Sequence, residues 1–119
     1  MLGELLVAAE FSGRGVEVYR AIGPYDADLV VIAGGNKYSV QVKSTANESP
    51  KWQFRFRGMN NRYYARGALD WFAVVHLPTR RVALIPAEGK MTCTVDFDNL
   101  DPEWEFDTGV ARMREGGTV

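Results

Sequence analysis

The sequence predicts an α+β domain in which one N-terminal helix packs on a mixed or antiparallel sheet. Three observations predict it. A stretch with helical apolar spacing opens the chain, a succession of alternating or wholly apolar runs follows, and short turn signals rather than long linkers separate those runs. At 119 residues the chain fits a single domain over 1–119, with a core over about residues 2–86 and a C-terminal strand and acidic tail over 87–119.

Residues 2–12 read as a helix with two apolar rows, Leu2, Leu5, Leu6 and Ala9 along one line and Val7, Ala8 and Phe11, headed by Glu4, along the other. "SGRG" supplies Gly13 or Gly15 for a left-handed helix end. A helix apolar on two sides packs between layers or lends one side to a partner subunit, and Glu4 is expected beside buried surface. "VEVYRAI" (16–22) reads as a strand, "GPY" as a turn and "DADLVVIAG" (26–34) as a second strand. "GGN" is a hairpin turn into "KYSVQVKST", so the second and third strands are antiparallel neighbours. In "KWQFRFR" (51–57) strict alternation turns Trp52, Phe54 and Phe56 inward and Lys51, Gln53, Arg55 and Arg57 outward. "DWFAVVHLPTRRVALIPAE" reads as a hairpin of two apolar strands around "LPTR". "MTCTVDF" sets Met91, Cys93, Val95 and Phe97 on one face of an edge strand or flap, and the final "REGGTV" is expected to fray.

Composition narrows the function classes. The content is 46% hydrophobic and 24% charged, which is ordinary for a globular protein and argues against disorder. "LLVAA" is too short to span a bilayer and no basic stretch precedes it, so neither a membrane protein nor a signal peptide is expected. One cysteine, Cys93, excludes an internal disulfide, and with the single histidine, His76, it excludes a Cys/His zinc site. A reducing, cytoplasmic setting is the expectation. The net charge of −1 hides two opposite regions. Eight basic residues against two acids lie between Lys43 and Arg81, and six acids with no base lie between Asp96 and Asp107. Such a division permits a phosphate-binding face without a high isoelectric point.

The residues that point to chemistry lie on "YSVQVKST" (38–45). Alternation turns Tyr38, Val40 and Val42 one way and Ser39, Gln41 and Lys43 the other. Asp28 stands at the start of "LVVI", and a hairpin closed by "GGN" brings it to the same end of the strand pair as Gln41 and Lys43. Oxygens from Asp28 and Gln41, with a backbone carbonyl between Gln41 and Lys43, suit Mg²⁺, which keeps several waters and takes few protein ligands. Lys43 can orient a water or stabilise charge developing on a phosphate. Lys51, Arg55, Arg57, Arg62 and Arg66 offer cations to a nucleic-acid backbone, and Tyr63 and Tyr64 offer stacking faces. His76 reads as a hydrogen-bonded core or rim histidine, and Cys93 as core.

Asp28, followed thirteen residues later by Gln-x-Lys on the next strand, behind a helix "GELLVAAEFSGRG" that carries Glu4, resembles the PD-(D/E)xK nuclease superfamily. The pattern looks most like the branch with glutamine at the second acidic position, which includes an intron-encoded homing endonuclease; archaeal Holliday junction resolvases are similar in core fold. The resemblance covers about residues 2–86 and implies a restriction-endonuclease-like core. It also implies that Asp28 and Gln41 bind Mg²⁺, with Mn²⁺ able to substitute, that Lys43 serves the attacking water, and that Glu4 completes the site. In "GPYDAD" Pro24 is separated from both Asp26 and Asp28, so either aspartate can be the ligand; Asp28 abuts the apolar strand. Two functional readings follow. One is a Mg²⁺-dependent endonuclease that hydrolyses DNA phosphodiester bonds as a homo-oligomer, dimer or tetramer, because cutting both strands of a duplex calls for two sites. The other is an inactive nuclease-fold module that binds nucleic acid or a protein partner, since Gln41 carries no charge for a metal.

Overall fold

The computed structural model describes residues 1–22, 27–55, 69–87 and 92–116. Helix α1 spans Leu2–Gly13 and is followed by β1 (Glu17–Arg20), β2 (Leu29–Ala33), β3 (Asn36–Thr45), β4 (Lys51–Arg55), β5 (Trp71–His76), β6 (Arg81–Pro86), β7 (Thr92–Asp96) and α2 (Phe106–Arg114). Five strands form one sheet in the order β1-β2-β3-β5-β6, and β4 pairs with β7 in a separate two-stranded ribbon. The main sheet is mixed, because β3 and β5 run parallel while the other neighbours are antiparallel. The α+β class and the antiparallel pairing of β2 with β3 are as the sequence predicts.

Gly34 and Gly35 make the two-residue turn between β2 and β3, with φ of 58° and 80°, the left-handed pair that matches strand twist. A side chain at Gly34 would also meet the Arg114 carbonyl oxygen at 2.5 Å, so the end of α2 closes on this turn. Tyr38 donates its hydroxyl to the Met113 carbonyl at 2.7 Å and locks the same junction.

β5 is buried along its whole length, which its uninterrupted apolar sequence requires of a strand covered on both faces. Trp71, Ala73 and Val75 join Leu29, Val31, Val40 and Leu84 beneath Val7 and Phe11 of α1 and Phe106, Val110 and Met113 of α2. Phe72 and Val74 join Ala83 and Ile85 on the other face, beneath Phe54 of β4 and Cys93 and Val95 of β7. The sheet is therefore the middle of three layers.

Four sequence expectations are refined. The strands expected over 16–22 and 26–34 are the shorter Glu17–Arg20 and Leu29–Ala33. Of the two apolar rows on α1, the one with Val7 and Phe11 is buried, whereas Leu2 and Leu5 are 47% and 60% exposed. The acidic stretch after β7 is a structured connection, with a 3₁₀ turn at Pro102–Trp104 capped by the Asp101 carboxylate, and it leads into a helix that the sequence reading did not include. Phe106, Val110 and Met113 carry that helix into the core. Its signal was their i, i+4, i+7 spacing, masked by surrounding charge and by Gly109.

Candidate active site

β3 lies between β2 and β5 and outruns β2 at one end. Leu29 faces Val40 in the last register pair of β2, which puts Asp28 opposite Gln41 just past the end of the ladder. The Asp28 backbone N–H donates to the Val40 carbonyl at 2.9 Å. Its carboxylate Oδ2 accepts from the Val42 N–H at 2.8 Å. In an extended strand the N–H and C=O of one residue point to the same side. The Val42 carbonyl therefore points to the side on which Asp28 sits.

Gln41 and Lys43 face Phe72 and Val74 in the parallel register with β5, so they share the sheet face that carries the β4–β7 ribbon. Both are half-buried, as is Asp28. The Gln41 Oε1 atom is buried and, among the described residues, has no hydrogen-bond partner. A buried amide oxygen left so costs on the order of 1–3 kcal/mol, and a cation or water supplied by a ligand would remove that cost. Burial raises the Asp28 carboxyl above the ordinary carboxylate range; the Val42 N–H opposes this, Glu4 adds to it, and Lys43 and the N-terminus oppose it. Burial lowers the Lys43 ammonium from its ordinary value, against the pull of Asp28. A carboxyl and an ammonium pushed toward each other in one cleft are characteristic of functional sites.

Glu4 belongs to the first turn of α1. Gly3 lets that turn settle on β3, where an added side-chain carbon would stand 3.0 Å from Ser44 Cβ. Glu4 is close enough to act electrostatically on Asp28, and its Oε2 is 3.9 Å from Arg20 Nη2. Asp28 thus lies opposite Gln41 and within electrostatic reach of both Glu4 and Lys43. Lys51 and Arg55 are exposed on the ribbon, whereas Arg57, Arg62 and Arg66, with Asp26, Tyr63 and Tyr64, lie outside the described residues.

Sequence reasoning passed over Asp70. Its carboxylate Oδ2 accepts from the Ser39 N–H at 2.8 Å and the Ser39 hydroxyl at 3.1 Å. Asp28 and Asp70 therefore flank β3 in the same manner, each capping a backbone N–H of the central strand. The signal was a shared pattern, an aspartate immediately before an apolar strand, "DLVVI" and "DWFAVV".

His76 is buried at 1% exposure, far along β5 from Asp70. Its Nε2 faces the carbonyls of Asn47 at 2.9 Å and Ser49 at 3.0 Å, so this nitrogen bears the proton. Nδ1 then accepts from the Thr79 hydroxyl at 2.8 Å. The ring also stacks on Phe97 at 5.3 Å. It pins the β3–β4 connection, as expected of a hydrogen-bonded core histidine.

The three-layer order and the β2–β3 geometry can be set beside solved structures. A bacterial homing endonuclease superposes with a TM-score of 0.65 at 16% identity, over 79% of this chain and 73% of that one. The Holliday junction resolvase Hjc of the archaeal hyperthermophile Archaeoglobus fulgidus superposes with a TM-score of 0.59 at 17% identity, over 92% of this chain and 98% of that one. The chain shares its fold with these two nucleases. No protein-family model matches the sequence, and no curated protein matches it either. Among the described residues no helix of this nuclease-like fold is long and apolar enough to cross a membrane.

Proposed function

We propose that the chain is a Mg²⁺-dependent endonuclease that hydrolyses phosphodiester bonds in DNA, with Asp28 and Gln41 as metal ligands. The observation that carries this reading is the buried, unpartnered Oε1 of Gln41, directly opposite an aspartate whose carboxylate is fixed on Val42. The donor set fits a hard cation: one carboxylate, one amide oxygen and the Val42 carbonyl, all oxygen, with Glu4 able to add a second carboxylate from the helix. Mn²⁺ is expected to substitute for Mg²⁺.

When bound, a divalent cation supplies Lewis-acid polarisation of the phosphate and lowers the pKa of water. The chain's own residues do the rest. Val42 N–H holds the Asp28 carboxylate in its rotamer. Lys43 would hold the attacking water in line with the scissile P–O bond, or donate to a phosphate oxygen as charge builds on it. Its lowered affinity for a proton keeps it closer to exchange near neutral pH than an exposed lysine. Lys51 and Arg55 would hold the DNA backbone, together with Arg57, Arg62 and Arg66. A symmetric dimer or tetramer would supply the second site needed to cut a duplex, with exposed Leu2 and Leu5 of α1 as contact surface.

A second reading is favoured by one observation: the ligand position opposite Asp28 is held by Gln41, whose neutral amide binds a divalent cation less strongly than a carboxylate. On that reading the nuclease fold binds nucleic acid or a protein partner without cutting. Incubation of supercoiled and branched DNA with the protein and Mg²⁺ or Mn²⁺, beside Lys43→Ala and Asp28→Ala, separates the two. The nuclease reading expects nicking or resolution that falls at least about a hundredfold in either variant. DNA retained but uncut under every condition leaves the binding module.

A further inference from the structure

β4 alternates as a strand should, yet it leaves the main sheet and pairs with β7. The two register as Lys51 with Asp96, Gln53 with Thr94 and Arg55 with Thr92. Their inner positions, Phe54, Cys93 and Val95, are buried on the sheet face. Their outer positions, Lys51, Gln53, Arg55, Thr92 and Thr94, are all exposed. Asp96 is the one acid among the outer positions of the described ribbon; it faces Lys51 at one end, and its Oδ1 is turned to the Asp98 N–H at 3.1 Å. The other end carries Arg55 with two threonines and no acid.

Three features of this outer face set it apart from an ordinary solvated strand pair. Its long polar side chains are arginine, lysine and glutamine, the types that make bidentate or paired contacts to guanine and adenine edges, and threonine can meet either base edges or a thymine methyl. A two-stranded ribbon is one of the two elements that the major groove of B-DNA admits. It also lies on the same side of the main sheet as Gln41 and Lys43.

We propose that the β4–β7 ribbon reads DNA sequence in the major groove, with Gln53 and Arg55 as principal base contacts and Thr92 and Thr94 beside them. This rests on the DNA reading proposed above and adds what that reading lacks, an element that distinguishes one duplex site from another. Lys51, partly offset by Asp96, contacts phosphate and positions the ribbon without carrying sequence information. The apolar inner face anchors the reader on the catalytic layer, so its register relative to Lys43 is fixed by core packing rather than by a flexible linker.

The test is selection from a random duplex library by the full-length protein in EDTA, so that nothing is cut, repeated with Gln53→Ala and Arg55→Ala, separately and together. The wild type is expected to enrich a short motif. Each variant should lose preference at one or two adjacent positions, by about tenfold per lost base contact, while affinity for unrelated sequence changes much less. Circular dichroism and thermal midpoints of the variants confirm that the exposed positions leave folding intact. Recovery of the same motif by both variants, an even loss of affinity over all sequences, no enrichment by the wild type, or no duplex binding at all would each overturn the proposal. Cleavage is scored separately with Lys43→Ala. Sequence-independent cutting leaves the nuclease and removes the reader, whereas motif enrichment without cutting keeps the reader and removes the nuclease.

Discussion

Two polar clusters touch β3 or its extension, and they are built on opposite terms. Around His76 every ring nitrogen is matched, with Thr79 on one side and the Asn47 and Ser49 carbonyls on the other, and the ring is stacked on Phe97. Around Gln41 the amide oxygen is buried without a partner, a carboxyl is pushed up and an ammonium is pushed down. The first cluster is what a buried polar group looks like when it serves the fold. The second leaves a buried polar atom unmatched and two charged groups desolvated, features that binding and catalytic centres share.

Mutations that invert this contrast test it. The largest effect on stability is expected at the satisfied cluster. His76→Ala removes a fully buried ring and strands the Asn47 and Ser49 carbonyls, a loss of about 3 kcal/mol in chemical denaturation. Gln41→Leu should do the opposite, stabilising by about 1 kcal/mol because it replaces an orphaned oxygen with apolar surface beside Phe72. Equal destabilisation by the two would erase the distinction between the clusters.

A smaller effect follows from the raised pKa of Asp28. A carboxyl whose folded pKa lies above its unfolded value binds protons more readily when folded, so its contribution to stability falls as pH rises through that interval. The interval begins at the ordinary carboxylate pKa and ends at the raised one. Asp28→Asn keeps an acceptor for the Val42 N–H and removes the charge. Its stability relative to the wild type should therefore improve as pH rises through that interval, read as urea midpoints. A difference that stays flat with pH would mean that burial does not penalise the Asp28 charge. Lys43 has the reverse sign: its lowered pKa makes the wild type gain stability as pH climbs from the folded value toward the unfolded one.

Much of the fold was legible in the sequence, because its signals are local. The Gly34–Gly35 turn specified the β2–β3 hairpin, and the apolar run of "WFAVV" specified a strand covered on both faces. The placement of Asp28 was legible for the same reason, since hairpin register alone carries it opposite Gln41. What stayed hidden depends on distant partners. Alternation in β4 announces an inner and an outer face but says nothing about which strand will pair with it, and the partner, β7, lies some forty residues away. The two apolar rows on α1 were equally good by period, and the face that goes inward is the one with Val7 and Phe11, on which Gly3 makes its close approach to Ser44. α2 was concealed by its acidic approach, whose charges are partly taken up by Asp107 with Arg14 and Glu103 with Arg112. The unsatisfied state of Gln41 is invisible to any pattern, because it is a property of what is missing around the side chain.

The central claim is that the functional centre lies at Asp28, Gln41 and Lys43 rather than in the acid-rich connection after β7. Titration with paramagnetic Mn²⁺, followed by line broadening in amide NMR spectra, addresses it most directly. The account predicts that the resonances of Asp28, Gln41, Val42 and Lys43 broaden first and that Gln41→Leu abolishes the effect there. Broadening that begins and stays within residues 96–107, with the β3 resonances intact at the highest metal concentration, would contradict it.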